Sequence, residues 1–551
     1  MNIPYGRQTI GKADIEAVAS VLNSEFLTTG PKVAEFEEKF ALFVGAKYAV
    51  AVSNGTAALH LACLAAGLKN GDELITSPMT FAASANCALY CGAKPVFVDI
   101  KAENGLIDER LIEKKITPKT KIVIPVHYTG LPCDMKQIHA IAKKHNIIII
   151  EDASHALGSR YKGTKIGDCK YSDMAIFSFH PVKHITTGEG GMITTNSKDF
   201  YEKLLRQRTH GITKDPDKLL NKNEGSWFYE MQEFGFNYRL TDFQCALGIS
   251  QLNKVKSFIK KRVEIAKTYD KEFSKTDGVE IIKPPEGYKN AHHLYIIKVK
   301  DRKTRLNLFN YLKEQGLLCQ VHYIPVYWHP YYQKLGFKKG ICPKAEEFYE
   351  KIISIPMYPS LKNKEQKKVI KIINDFMYDR KIIGKRFYLR KLDLKDATQK
   401  YCSWLNDSAV NKYLETHQAT IADIREYIKK QQTNPNSFFV GIFDKETNKH
   451  IGNMKLEPIN WGKKNAMFGM LIGDKDYWGK GIGVEATRLL VDYAFNQMGL
   501  SEVVLGVVSE NIPAIRVYKK VGFNVLKINK NAVQYGDNFF DQIIMSIKKN
   551  E

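Results

Sequence analysis

Three features are scarce in this chain of 551 residues. Long apolar runs are missing: no stretch approaches the roughly 18 uninterrupted apolar residues that a membrane-crossing helix needs. The opening segment MNIPYGRQTIGKADIEAV carries charges and lacks the apolar core of a secretion signal, so the expectation is a cytoplasmic protein with no membrane partner. Cysteine pairing is missing too. The nine cysteines are odd in number, scattered and without a C-x-x-C pair, which argues against a disulfide framework or a zinc centre and leaves no metal expected. Cys87 and Cys91, four apart in an apolar helix-like run, read as two buried small hydrophobes. Basic blocks interleaved with aromatics are the third absence. The net charge of +23 is spread along the chain, so it marks no nucleic-acid groove and instead favours small anions such as phosphates and nucleotides.

What is present is enough apolar material, 44%, for more than one core. Up to about residue 380, short apolar runs alternate with helix-like segments: AVAVSN (49–54), KPVFVDI (94–100), KIVIPVHY (121–128) and NIIIIED (146–152). That is βαβ punctuation. Runs such as Ile147 to Ile150 suit strands covered on both faces, hence a largely parallel sheet between helices, whose strand ends become site candidates. After Gln251 a long amphipathic helix and a smaller α+β stretch read as a second lobe. A basic, glycine-containing segment around Gly384 then precedes a further α+β unit. The expected divisions are 1–250, 251–380 and 386–549.

Three elements of the first region carry chemistry. SNGTAALHLA (53–62) follows a strand and opens a helix, so the N–H groups of Gly55 and Thr56 and the Thr56 hydroxyl suit a phosphate, although a plain Ser/Asn cap has the same form. EDASHALG (151–158) places Asp152 at a strand end, where a carboxylate pairs with a cationic ring nitrogen or caps a helix. FSFHPVKHITTGEGG (177–191) sets Lys183 between an apolar strand and a glycine-rich turn that lets the backbone approach a ligand.

In this order and spacing, together with EFLTTGPKVAEFEEKFALFVGAKYAVAVSNGTAALHLA and GFNYRLTDFQCALGISQL (235–252), these motifs resemble the DegT/DnrJ/EryC1/StrS sugar aminotransferases, over about the first 380 residues. The resemblance implies the aspartate-aminotransferase (type I) α/β fold with a small α+β lobe, and pyridoxal 5′-phosphate as cofactor. It assigns Lys183 as the lysine that bonds the cofactor and shuttles the proton, and Asp152 as partner of the pyridine nitrogen. Gly55, Thr56 and Ser178 become phosphate ligands, and Phe81 in PMTFAASAN becomes a ring-stacking residue, a position a core aromatic also suits. His155 stands where many relatives have glutamine, near the cofactor ring's oxygen. Asn237 in NYR would reach the phosphate in a neighbouring subunit, which implies a homodimer. Some relatives carry histidine in place of the lysine and deoxygenate; with Lys183 present, amino transfer is expected. SHALGS (154–159), the Lys183 motif and QVHYIPVY (320–327) look most like enzymes that aminate C4 of UDP-4-keto-6-deoxy-β-L-AltNAc in pseudaminic acid synthesis, with His322 and Tyr323 lining the sugar-nucleotide pocket.

Near the C-terminus, NAMFGMLIGDKDYWGKGIGVEATRLLVDYAF reads as strand, glycine loop and a helix whose buried face is Ile482, Ala486, Leu489, Leu490 and Tyr493. Glycines at a helix start leave N–H groups free for a pyrophosphate. With SEVVLGVVSENIPAIRVYKKVGF (501–523) this resembles the GNAT acetyltransferases, over about residues 386–549. The resemblance implies acetyl-CoA, its pyrophosphate held at Gly479, Lys480, Gly481, Ile482 and Gly483, its pantetheine arm by Asn511, and Tyr518 as the acid that protonates the leaving thiolate. The Arg or Gln that the family carries before the glycines is Trp478 here. Glu457 is a weak candidate for the general base. The whole chain then reads as a glutamate-dependent sugar aminotransferase fused to an N-acetyltransferase acting on the new amine. The alternatives are amination at C3 of a dTDP-keto sugar with N-acetylation, or a tail that acetylates protein or only senses CoA.

Overall fold

The computed structural model describes all residues except Met1, 222–223, 379–380, 536–537 and 550–551. The chain divides into two compact units, Met1–Asn374 and Asp375–Glu551. In the first, seven strands form one sheet: β1 (Tyr48–Val52), β2 (Glu73–Thr76), β3 (Lys94–Phe97), β4 (Thr120–Ile124), β5 (Ile148–Asp152), β6 (Met174–Ser178) and β7 (Gly191–Thr195). Their order is β1-β7-β6-β5-β4-β2-β3. The neighbours β6-β5-β4-β2-β3 pair in parallel, and β7 runs antiparallel between β1 and β6. Ile149 and Ile150 of β5 are buried and Ile148 partly so, as a doubly covered strand requires. One cover is α1 (Gly55–Ala65), eight of whose residues are buried.

The second lobe of this unit rests on α3 (Asp242–Phe273), numbered after α2 (Ala83–Tyr90). The helix passes through residue 250 unbroken, so the change of lobe expected there occurs along one rod. Strands Val279–Ile281, Tyr295–Val299 and Ile352–Ile355 form its small antiparallel sheet. The QVHYIPVY segment is not a strand; it joins the sheet by the bridge Gln320↔Ser354 and by the hydrogen bond of 2.8 Å between His322 Nδ1 and Ser354 Oγ.

The second unit holds β8 (Ile382–Ile383), β9 (Phe387–Lys391), β10 (Phe438–Asp444), β11 (His450–Asn460), β12 (Asn465–Ile472), β13 (Glu502–Val508), β14 (Asn524–Tyr535) and β15 (Asn538–Lys548). They form one sheet in the order β8-β9-β10-β11-β12-β13-β15-β14. All pairings are antiparallel except β12 with β13, which pack under α4 (Ile482–Asn496) and α5 (Ile512–Val521).

Candidate active sites

The strand ends β1, β5 and β6 open on a cavity of about 890 Å³ in the first unit. Nine of the residues singled out from sequence line it: Gly55, Thr56, Phe81, Asp152, His155, Ser178, Lys183, His322 and Tyr323. Asn237 does not. It is exposed, and its backbone is bridged to Thr209.

The Asn54 side chain caps α1 by accepting from the Ala57 N–H at 2.8 Å. This leaves the first-turn N–H groups of Gly55 and Thr56 without a partner among the described residues, the orphan donors that an anion at a helix start takes up. Ser178 closes the cup from β6. A Cβ placed on Gly55 would stand 3.0 Å from the Ser178 Cβ and 3.3 Å from its Oγ, so only glycine fits there without displacement.

Asp152 is not a helix cap, because a turn follows β5. Strand alternation turns its neighbour Glu151 to the other face, where His127 holds it at 2.7 Å. Asp152 Oδ2 accepts from Ser84 Oγ of α2 at 2.6 Å, and Ser84 pairs with Thr80 at 2.7 Å. Oδ1 accepts from the Ser154 N–H at 3.1 Å. The carboxylate is 5% exposed and held in one orientation. Phe81 is no core residue; it is 63% exposed on the cavity wall.

Burial pushes the Lys183 amine down to about 8, with the charge of Asp152 opposing. A fraction of this amine is therefore neutral near pH 7 and able to take a proton. His155 is held well below the usual imidazole range, first by burial and then by Lys183, His322 and His184, and burial takes His322 down to about 3. Both rings stay neutral. His155 Nε2 shares a hydrogen bond of 3.2 Å with the Tyr323 hydroxyl, while its buried Nδ1 has no partner among the described residues. Behind it lies His293, ring centroids 4.3 Å apart. A phosphate cup, an oriented acid, an unsatisfied ring nitrogen, an exposed aromatic face and a depressed lysine in one cavity fit the donor and acceptor set of pyridoxal phosphate.

In the second unit, β12 and β13 are paired only at Asn465↔Glu502, Ala466↔Val503 and Met467↔Val504. Beyond that the strands are not partners of each other, and the backbone between Phe468–Ile472 and Leu505–Val508 is available to an extended ligand. The glycine loop sits at the end of β12. Gly479 and Gly481 adopt φ of +74° and +76°, the left-handed region where glycine is unstrained. Gly481 caps α4, whose buried face includes Ile482, Gly483, Ala486 and Leu490, with Leu489 packed at its edge. The Gly479 Cβ position meets nothing within 4 Å. This fits a pyrophosphate on the loop amides.

Asn511 does cap α5, its Oδ1 accepting from the Ala514 N–H at 3.3 Å. Tyr518 is buried against Phe468 and Phe523, and burial pushes its phenol up to about 12. It therefore keeps its proton at neutral pH, as an acid must. Its hydroxyl has no hydrogen-bond partner among the described residues. Glu457 is taken up by donors, accepting from Gln431 at 3.0 Å, Asn434 at 3.1 Å and Lys455 at 3.4 Å. It lies beside Leu456, whose register partner is Phe468, the residue on which Tyr518 packs.

Sequence reasoning passed over Ser84, although it stands in the same PMTFAASAN segment as Phe81. It also passed over His293 in AHHLY and Arg386 beside the glycine loop. Only the fold brings these to the sites, so no spacing within a motif could have found them.

Residues 8–374 match the DegT/DnrJ/EryC1/StrS aminotransferase family and residues 386–524 match the acetyltransferase (GNAT) domain. A Campylobacter jejuni protein named UDP-4-amino-4,6-dideoxy-N-acetyl-beta-L-altrosamine transaminase is 42% identical over 370 residues, covering 66% of this chain and 95% of its own. Spore coat polysaccharide biosynthesis protein SpsC of Bacillus subtilis is 40% identical over 380 residues, 68% of this chain and 97% of its own. Among solved structures, Helicobacter pylori PseC, described as an aminotransferase involved in the biosynthesis of pseudoaminic acid, superposes with a TM-score of 0.64 at 34% identity, covering 68% of this chain and 99% of its own. The PLP form of the putative sugar aminotransferase Spr1654 from Streptococcus pneumoniae does so at 0.64 and 32%, with 68% and 99% covered.

Proposed function

The chain belongs to the DegT/DnrJ/EryC1/StrS aminotransferase family and continues into a GNAT acetyltransferase domain, and on that premise we propose that it performs two consecutive steps on one nucleotide sugar. The cofactor is pyridoxal 5′-phosphate and the acyl donor acetyl-CoA. The first step transfers the amine of glutamate to C4 of UDP-4-keto-6-deoxy-β-L-AltNAc; the second acetylates the new 4-amino group. The relatives named for the altrosamine transaminase reaction support the choice of sugar.

Pyridoxal phosphate supplies, when bound, an electron sink for negative charge on the carbon beside the transferred nitrogen. Lys183 Nζ, neutral in part because it is buried, takes the proton from that carbon on the donor side and returns it to C4 on the sugar side. Asp152, aimed by Ser84, keeps a proton on the pyridine nitrogen. Gly55, Thr56 and Ser178 would hold the phosphate, Phe81 would offer its face to the ring, and the Nδ1 of His155 would serve the ring's oxygen. His322 and Tyr323 line the sugar side. A homodimer brings Asn237 to the partner's phosphate.

In the second unit, the amides from Gly479 through Lys480, Gly481 and Ile482 to Gly483 hold the pyrophosphate, and Asn511 contacts the pantetheine arm. The sugar amine attacks as the free base, because its protonated form has no lone pair. The C–N bond forms as the C–S bond breaks, the Tyr518 hydroxyl protonates the departing thiolate, and the proton that the nitrogen sheds passes to solvent, from which Tyr518 regains its own.

The gathering of Lys183, Asp152 and the phosphate cup in one cavity carries this reading. Mass spectrometry of the product from UDP-4-keto-6-deoxy-β-L-AltNAc, glutamate and acetyl-CoA tests it. The expected product gains an amino and then an acetyl group, the second only when acetyl-CoA is present. Turnover confined to a dTDP-3-keto sugar, or acetylation of protein but not of the amino sugar, would refute it.

A further inference from the structure

The residue before the glycine loop, Trp478, does not stand in for a cation. Its indole N–H donates to the Ile472 carbonyl at 2.9 Å and so closes the end of β12. The loop amides are neutral, and a pyrophosphate carries its charge into a region where a guanidinium would be well matched. One guanidinium reaches the loop from elsewhere in the sequence. Arg386, immediately before β9, donates from Nη1 to the Lys480 carbonyl at 2.9 Å. Its Nε donates to Glu485 Oε2 at 2.9 Å and its backbone N–H to Glu485 Oε1 at 2.8 Å. Glu485 lies in the first turn of α4, so this carboxylate fixes the plane of the fork. The far nitrogen, Nη2, lies 3.8 Å from the Cβ position of Gly481. Two of the five N–H donors of the guanidinium are thus used, and those on Nη2 remain beside the bare Cα of the loop.

We propose that Arg386 is the pyrophosphate-binding cation of the acetyltransferase unit, taking the place that Trp478 leaves vacant, with Glu485 as the residue that positions it. The ligand class is the diphosphate of a coenzyme A thioester. Recruitment from β9 explains why an indole is tolerated before the glycines: the charge arrives through the fold rather than through the motif. The side chain is about half exposed, so it can turn its free edge to an incoming anion while Glu485 keeps hold of Nε.

The inference rests on the acetyl-CoA reading of this unit, and titration of the parent protein with CoA separates the two: no CoA binding by the parent would overturn that reading. If the parent binds, CoA affinity is measured by calorimetry on the full chain for three variants. Arg386→Gln is expected to weaken binding by about tenfold or more, and Arg386→Lys to recover part of that loss by keeping the charge. Glu485→Gln, which keeps an acceptor for Nε but loses the ion pair, is expected to weaken binding by less than Arg386→Gln, since the cation remains. A bracing role for the Arg386–Glu485 pair predicts instead that Glu485→Gln weakens binding as much as Arg386→Gln, and that Arg386→Lys restores nothing; that pattern overturns the proposal. So does an Arg386→Gln variant with unchanged affinity.

Discussion

Replacing Gly55 by alanine puts a methyl group into the throat of the phosphate cup. The new carbon would lie 3.0 Å from the Ser178 Cβ, inside the roughly 3.5–4.0 Å optimum for carbon pairs. Overpacking of this kind costs about 1–3 kcal/mol, and alanine returns up to about 1 kcal/mol of helix propensity. The net change in folding stability is therefore small, about 0–2 kcal/mol, or a few degrees of melting temperature for a unit of this size. Binding responds more strongly. The same methyl pushes the phosphate away from the first-turn N–H groups, and one lost hydrogen bond to a charged group is worth about 1.5–3 kcal/mol, or roughly 10- to 150-fold in Kd. Titration of the cofactor-free protein with pyridoxal phosphate, followed by cofactor absorbance, measures the second effect, and thermal melting without cofactor measures the first. Adding Ser178→Gly should restore the melting temperature by removing the clash, but not the affinity, because the Ser178 hydroxyl is lost. A Gly55→Ala protein that binds within about twofold of the parent would refute the assignment of the cup.

Lys183→Met should stabilise the cofactor-free first unit below pH 8. In the parent the amine titrates near 8 when folded and near 10.4 when unfolded, so between these values the unfolded chain holds one more proton and stability rises with pH. The rise amounts to about 3 kcal/mol at most, and melts recorded from pH 7.5 to 10.5 should show it in the parent and not in the methionine variant; equal slopes would refute the buried-amine argument. Tyr518→Phe should lower kcat for acetyl transfer by about 10²-fold, leave the KM for acetyl-CoA near the parent value, and leave amino transfer untouched. A normal acetylation rate in that variant would remove Tyr518 from the mechanism.

The parallel core was legible in the sequence because strands buried on both faces leave continuous β-branched runs, as at Ile147 to Ile150. The antiparallel β7 was not, since direction is set by the connection and not by the pattern of GMITT. Lys183, Asp152 and the cup were expected as a set only through the resemblance carried by their order and spacing, since each alone also fits a solvated lysine, a cap or a plain turn; the structure brings all three to one cavity. Ser84, His293 and Arg386 act across sequence separations of 68 to Asp152, 138 to His155 and 94 to Lys480, which a single sequence does not reveal. Asn511 Oδ1 caps α5, a role that the resemblance alone does not imply.

At 1.5 Å per residue, the 32 residues of α3 make a rod roughly 48 Å long. Near its start Gln244 Nε2 donates to the Glu189 carbonyl on the cavity wall at 2.8 Å. Toward its end Arg262 Nη1 donates to the carbonyls of His292, His293 and Met357, and the Tyr269 hydroxyl to that of Pro356. One continuous beam thus ties the cavity wall to the small lobe, so the two lobes of the first unit share a single rigid element.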